Sequence, residues 1–249
     1  AHIKKKPVKL IPSSEKFIWV IQNRSMDNFK EITSSDTTRI LFLSTYLGYD
    51  GYLLNGSKPM TKSALKKKLN LSLRTFNYFY LHMIDSKIFN EKDNKIYLNN
   101  KIFKKGAISI SDLGIIYGND KIITRLYVNP VQFLYTHSTS RNQKTISCIF
   151  KLIPFVNKKY NICCENIEEI NLEKIVPLSE KRIGEILDYS SNNYRRLFNT
   201  LKTVEINESH EKAIYFLKCP TYFNIENITI INPKLFYGSN VKNDALDFL

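Results

Sequence analysis

The chain has 249 residues, 43% hydrophobic and 24% charged, enough apolar content to bury a core and unlike a disordered polymer. No apolar run approaches the roughly 18–20 residues that span a bilayer, and the opening His2-Ile3-Lys4-Lys5-Lys6-Pro7 reads as a basic arm rather than a secretory signal, so a cytoplasmic protein is expected. The net charge of +14 is lopsided: residues 1–106 hold 20 Lys and Arg against 8 Asp and Glu, residues 107–249 hold 17 against 15, and a polyanion is the expected partner of the first half.

In chain order, residues 1–30 read as the basic N-terminal arm and a short strand. A helix is predicted over Asp36–Leu47, with Ile40, Leu41, Leu43 and Leu47 at helical spacing and Ser35 or Asp36 as its N-cap. Tyr52-Leu53-Leu54 reads as a strand closed by the turn Asn55-Gly56-Ser57. Thr61 then caps a helix with the apolar face Leu65 and Leu69, Asn70 breaks it, and Ser72 caps a further helix whose inward stripe is Phe76, Phe79, Tyr80 and Met83. Ile88-Phe89 and Ile96-Tyr97-Leu98 flank a polar turn and read as a hairpin.

Residues 107–140 form a connecting segment: a loop or hairpin over Gly106–Asp120, a strand over Ile122–Val128 and a short helix over Pro130–His137. A helix is predicted over Lys144–Val156. Ser179 caps Glu180–Leu187, and Ser190 or Ser191 caps a helix that turns Tyr194, Leu197, Phe198 and Leu201 inward. A long hairpin follows over Val204–Ile231, with a strand near Ala213–Leu217, and residues 241–249 form a tail.

These two series repeat one another. At a constant offset of 118, Pro59 meets Pro177, Thr61 meets Ser179, Leu65 meets Ile183, Ser72 meets Ser190, Phe76 meets Tyr194 and Tyr80 meets Phe198. Phe42–Leu54 also resembles Phe150–Ile162, and Asn99–Phe103 resembles Asn232–Phe236. Helix, strand, helix, tight turn, helix and hairpin is the order of a winged helix. The expected fold is therefore α+β and mostly α, with two winged-helix domains (a helix-turn-helix plus a β-hairpin wing) in tandem over residues 31–106 and 141–240.

In such a helix-turn-helix the outer face of the second helix is free to enter a major groove. The candidate base contacts are Arg74, Thr75, Asn77 and Tyr78, with His82 at the edge of that face, and Asn192, Asn193, Arg195, Arg196 and Asn199 in the second copy. The candidate phosphate contacts are Lys58, Lys62, Lys66, Lys67, Lys68, Ser72, Lys92 and Lys95. Lys4, Lys5 and Lys6 are candidates for a minor-groove arm, against the plainer reading of a disordered end. The second copy carries Glu180 and Glu185 beside its face, which suits weaker DNA reading or a protein partner.

The runs TRLYVNPVQFLY at Thr124–Tyr135, IFKLIPFVNKKYNI at Ile149–Ile162 and INPKLFYGS at Ile231–Ser239 resemble replication or regulatory proteins of low-GC Gram-positive phages and plasmids. The tandem layout is similar to that of iteron-binding plasmid replication initiators. That resemblance implies one unit reading the major groove of a repeat while the other aids reading or dimerises, with host replication proteins or a second copy as further partners.

Chemistry is not indicated. There is no G-x-x-x-x-G-K-[ST] loop for ATP, no paired histidines beside a nicking tyrosine, and His137 with Arg141 lacks the second arginine of a recombinase. Cys148, Cys163, Cys164 and Cys219 show no C-x-x-C spacing, so neither a metal nor a cofactor is expected. The C-terminal Asp244–Leu249 loosely resembles peptides that dock on bacterial sliding clamps, though it lacks their glutamine. The leading expectation is a replication initiator that binds origin repeats in double-stranded DNA, at the nucleoid of a bacterial host. The alternatives are a transcriptional regulator on an operator, and an adaptor whose second unit binds protein.

Overall fold

The computed structural model describes residues 15–26, 29–108, 122–190, 192–218 and 227–238. The fold is mixed α+β, with seven α-helices and small antiparallel sheets among the described residues. In order these are β1 (Phe17–Gln22), α1 (Ser34–Ser44), β2 (Leu54–Asn55), β3 (Lys58–Pro59), α2 (Lys62–Leu69), α3 (Leu73–Asp85), β4 (Phe89–Lys92), β5 (Lys95–Leu98) and β6 (Phe103–Lys104). The second half holds β7 (Ile122–Tyr127), α4 (Val128–Thr136), α5 (Ser140–Lys151), α6 (Glu180–Ile186), α7 (Tyr194–Leu201), β8 (Ile214–Lys218), β9 (Asn227–Ile231) and β10 (Phe236–Tyr237).

Local chemistry sets the helix pair of the first half. The Thr61 hydroxyl accepts from the Ala64 amide and the Ser72 hydroxyl from the Thr75 amide, each relieving one orphan donor of a first turn. Asn70 ends α2 in the left-handed region at φ 51°, a conformation its short side chain tolerates. Leu65 and Leu69 of α2 are buried with Phe76, Phe79, Tyr80 and Met83 of α3. Each such burial contributes about 1.5–3 kcal/mol. Phe79 and Tyr80 both reach Phe89 of β4, which fastens the β4–β5 hairpin to the pair. That hairpin turns at Asp93 and Asn94, both left-handed, the geometry of a tight two-residue loop.

The second half repeats the scheme. Ser179 caps α6 through the Arg182 amide, and Asp188 ends it left-handed at φ 61°, 118 positions after Asn70. Leu53 donates to Ile96 and Cys163 to Thr229, so a short extended stretch joins the hairpin sheet in each half. Met60 donates back to Leu53 as Leu178 does to Cys163.

Several expected bounds move: the helix expected over Asp36–Leu47 runs Ser34–Ser44, the strand over Tyr52–Leu54 is Leu54–Asn55, and the helix over Pro130–His137 is Val128–Thr136. Thr33, not Ser35 or Asp36, caps α1, because its hydroxyl accepts from the Asp36 amide while the Asp36 carboxylate is bound to Arg39 at 2.6 Å. The predicted helix over Lys144–Val156 begins earlier, at Ser140, and ends at Lys151; a 3-10 turn over Ile153–Phe155 follows, where Pro154 has no amide to donate. The match of Phe42–Leu54 with Phe150–Ile162 slips near its end. The turn closed by Gly48 and Tyr52 is one residue shorter than that closed by Asn157 and Ile162. Finally, α7 starts at Tyr194 with no side-chain cap bond, so Ser190 caps nothing; its hydroxyl instead accepts from the Asn193 amide side chain. Ser191 and residues 109–121, where a loop or hairpin is expected, lie outside the described residues, as do Lys4, Lys5, Lys6 and residues 239–249.

A four-stranded antiparallel sheet in the order β10-β7-β1-β6 binds the halves together. Val20 faces Phe103 just as Leu126 faces Phe236, and Trp19 faces Lys104 as Arg125 faces Tyr237. Any antiparallel pair has local two-fold axes, and these flanking registers select the one through the central Trp19–Arg125 pair. Exchanging the halves about it superposes β1 on β7 and β6 on β10. Beside the sheet α1 packs on α5, with the Thr38 hydroxyl donating to the Gln143 carbonyl at 2.9 Å. The Tyr135 ring stacks on Phe42 with centroids 4.1 Å apart, and its hydroxyl bonds the Leu69 carbonyl. One hydrophobic core runs through both halves.

Candidate nucleic-acid interface

The heptad-like stripe that anchors α3 leaves the opposite face in solvent. Arg74, Thr75, Asn77 and Tyr78 are all exposed, Tyr78 at 78%. Thr75 is partly committed, its hydroxyl 2.9 Å from that of Ser72. His82 is only half exposed and turns toward Asp36, with Nδ1 3.6 Å from the carboxylate, so it belongs to the α1–α3 contact.

Two further residues join this face that sequence reasoning had passed over. Leu73 is 61% exposed and Leu81 62%. Arg74, Tyr78 and Leu81 lie at i, i+4 and i+7, one line along the helix. The spacing was visible in the sequence; an apolar residue in an amphipathic helix is simply assigned to the core by default.

The expected phosphate contacts divide by what already holds them. Lys58, Lys67 and Lys92 are exposed, on β3, α2 and β4. Lys62 is paired with Glu91 at 2.8 Å and lies over the Tyr80 ring, so its charge is largely matched. Lys68 lies over Tyr46 at 4.7 Å and Lys95 over Tyr52 at 4.6 Å, contacts that orient an ammonium without neutralising it. Lys66, on α2, is half-buried. Ser72 is occupied as the N-cap of α3.

Lys62, Glu91 and Tyr80 tie α2, the hairpin and α3 to one another. The Tyr80 hydroxyl donates to Glu91 at 3.1 Å. The bonds from Lys62 and Tyr80 hold the Glu91 carboxyl below its ordinary value, while burial, and then Glu91 itself, push the Tyr80 phenol up.

In the second half, Arg195, Arg196 and Asn199 are exposed on α7, opposite the buried Leu197, Phe198 and Leu201. Asn192 and Asn193 are exposed too, but they precede the helix and are not on its face. At the offset of 118, Arg195 stands where Asn77 does, Arg196 where Tyr78 does and Asn199 where Leu81 does. Helix α6 carries its own charge pairs, Arg182 bridging Glu165 and Glu185.

Each half also has a groove between its first and third helices. The one in the first half encloses 640 Å³ beside Asp36, Arg39, Tyr78 and His82. The one in the second encloses 620 Å³ beside Lys144, Ser190, Asn193 and Arg196. Two carboxylates, Asp36 and Asp85, face Arg39 and His82 in the first, whereas Lys144 and Arg196 face the single carboxylate of Asp188 in the second. Among the described residues, no group of three or more His, Cys, Asp or Glu is placed to hold a metal ion, and no helix is long and apolar enough to cross a membrane. Cys148, Cys163 and Cys164 are buried and unpaired, and burial pushes the Cys164 thiol up to about 12, which keeps it protonated. No family model, curated protein or solved structure matches the chain.

Proposed function

We propose that the chain is a sequence-specific double-stranded-DNA-binding protein made of two winged-helix units, and that it serves a phage or plasmid as a replication initiator on origin repeats. The observation that carries the reading is the pair of matched outward faces, Arg74, Asn77 and Tyr78 on α3 and Arg195, Arg196 and Asn199 on α7. Arg and Asn are the side chains whose forks match guanine and adenine edges. Each face belongs to the second member of a helix pair and is followed by a hairpin, the arrangement in which winged helices enter a groove. The basic surplus of the first 106 residues and the exposed Lys58, Lys67 and Lys92 supply phosphate affinity.

The initiator reading is preferred to a regulator because one chain already carries two reading faces, so adjacent groove segments can be engaged without a dimer. Selection from a random duplex pool, followed by footprinting of the enriched site, tests the whole proposal. Direct repeats in genomic fragments recovered the same way support the initiator, and an inverted repeat over a promoter supports the regulator. A pool that yields no enriched sequence overturns DNA reading and leaves the adaptor.

A further inference from the structure

We infer that the first unit reads thymine methyl groups, through Leu73, Tyr78 and Leu81 on the open face of α3, so that the bound site consists of two unlike halves. The inference rests on the DNA-binding reading above and goes further by assigning the chemistry of one half-site.

The exposed large hydrophobic side chains among the described residues are Tyr49, Leu73, Tyr78, Leu81, Ile170 and Val176. Half of them therefore sit on one thirteen-residue helix, which scattered surface apolarity does not explain. Packing does not require them either. The matched positions of α7 carry Arg196 in place of Tyr78 and Asn199 in place of Leu81, on the same buried framework. No apolar side chain of comparable exposure occurs on α7. The first unit has something to meet there that the second does not.

The only apolar feature that base pairs present in the major groove is the thymine 5-methyl, and aliphatic or aromatic side chains contact it there. From Arg74 to Leu81 the helix rises roughly 10 Å, the length of about three base pairs. Arg74 and Asn77 lie between and beside the apolar side chains, able to hydrogen-bond neighbouring purines while the apolar ones rest on methyls. Asp85 is exposed at the far end of the same line, a carboxylate that phosphates repel, so the contact ends at Leu81. The exposed lysines on α2 and the hairpin favour a polyanion over a neutral apolar protein surface as the occupant.

The test uses the full chain and its selected duplex. Each thymine is replaced in turn by deoxyuridine, which deletes one methyl and leaves every hydrogen-bonding group in place. Substitution at one or two positions, all in the same half-site, should weaken binding about fourfold each, the value of one buried methyl-sized group. Leu81→Ala or Leu73→Ala should bind the thymine duplex about fourfold less tightly and no longer distinguish uracil from thymine at one of those positions. Both residues are exposed, so melting temperatures should equal the parent's and a folding defect is separable. A selected site that binds equally well with uracil throughout, or whose uracil penalty survives undiminished in Leu73→Ala, Tyr78→Ala and Leu81→Ala alike, overturns the inference while DNA binding stands. Unchanged DNA affinity in all three variants overturns it too and marks the stripe as a protein contact. Failure to select any site instead removes the DNA-binding reading itself.

Discussion

Asn99 and Asn232, 133 positions apart, make the same bonds. Each side-chain carbonyl accepts from the amide two residues on, Lys101 or Lys234, and each side-chain amide donates to a carbonyl of the preceding segment, Lys87 or Lys212. Each thereby turns the chain from its hairpin into an outer strand of the shared sheet. Asn232 is 1% exposed, whereas Asn99 is partly open to water. Asn232→Ala empties a buried site, leaves half-buried partners unsatisfied and should cost about 2 kcal/mol, while Asn99→Ala should cost about 1 kcal/mol because water replaces the lost bonds. Urea titration of both variants checks this, and equal losses would contradict it.

Ser72 separates a folding role from a binding role. Ser72→Ala should lower stability by about 1 kcal/mol through loss of the α3 cap. Ser72→Asp retains a capping oxygen and should keep the parent's stability, yet it sets a negative charge at the start of a helix argued to face phosphates. Duplex affinity should therefore fall in the Asp variant alone. Equal affinity for Asp and Ala would mean that the N-terminus of α3 does not approach DNA.

The lysines should differ in salt dependence according to their neighbours. Lys67→Ala should reduce the slope of log affinity against log salt by about 0.9, one released counterion's worth. Lys62→Ala should change it less, since Glu91 already matches that charge. A uniform effect across both would place Glu91 away from Lys62 in solution.

Glu91 predicts a small acid limb. Its carboxyl is held below the ordinary 4.5, so the folded state favours the ionised form. The contribution is complete above that value and is lost as pH falls through the lower, folded one. With the side chain 38% exposed, solvent screening limits it to a few tenths of a kcal/mol. Glu91→Gln should narrow the stability difference between pH 6 and pH 3 by that amount, measured by chemical denaturation.

What could be read from residues alone follows the range of the interactions involved. The α2–α3 and α6 boundaries rest on Thr61, Asn70, Ser72 and Ser179, whose cap bonds span three residues, and they were legible. The start of α7 was not: Ser190, Ser191, Asn192 and Asn193 are four capping residue types in a row, and no side chain among the described ones bonds the first turn. The shared sheet was out of reach for another reason. β1 pairs with β7 across about a hundred positions, and β6 and β10 are two residues each, too short for any alternation to register. The exposed polar positions of α3 and of α7 from Arg195 onward were legible, but Asn192 and Asn193 fall before α7, and the exposure of Leu73 and Leu81 was hidden by their own hydrophobicity.

The axis through Trp19 and Arg125 has a consequence for how such a molecule changes over generations. In a homodimer a single codon alters both subunits at once, so the two contacts with a partner remain copies. Here the related surfaces are encoded separately, so Tyr78 can stand at the position matched by Arg196, and Leu81 at that matched by Asn199. The scaffold stays near-symmetric because its strands must pair, while each outward surface is free to suit a different contact.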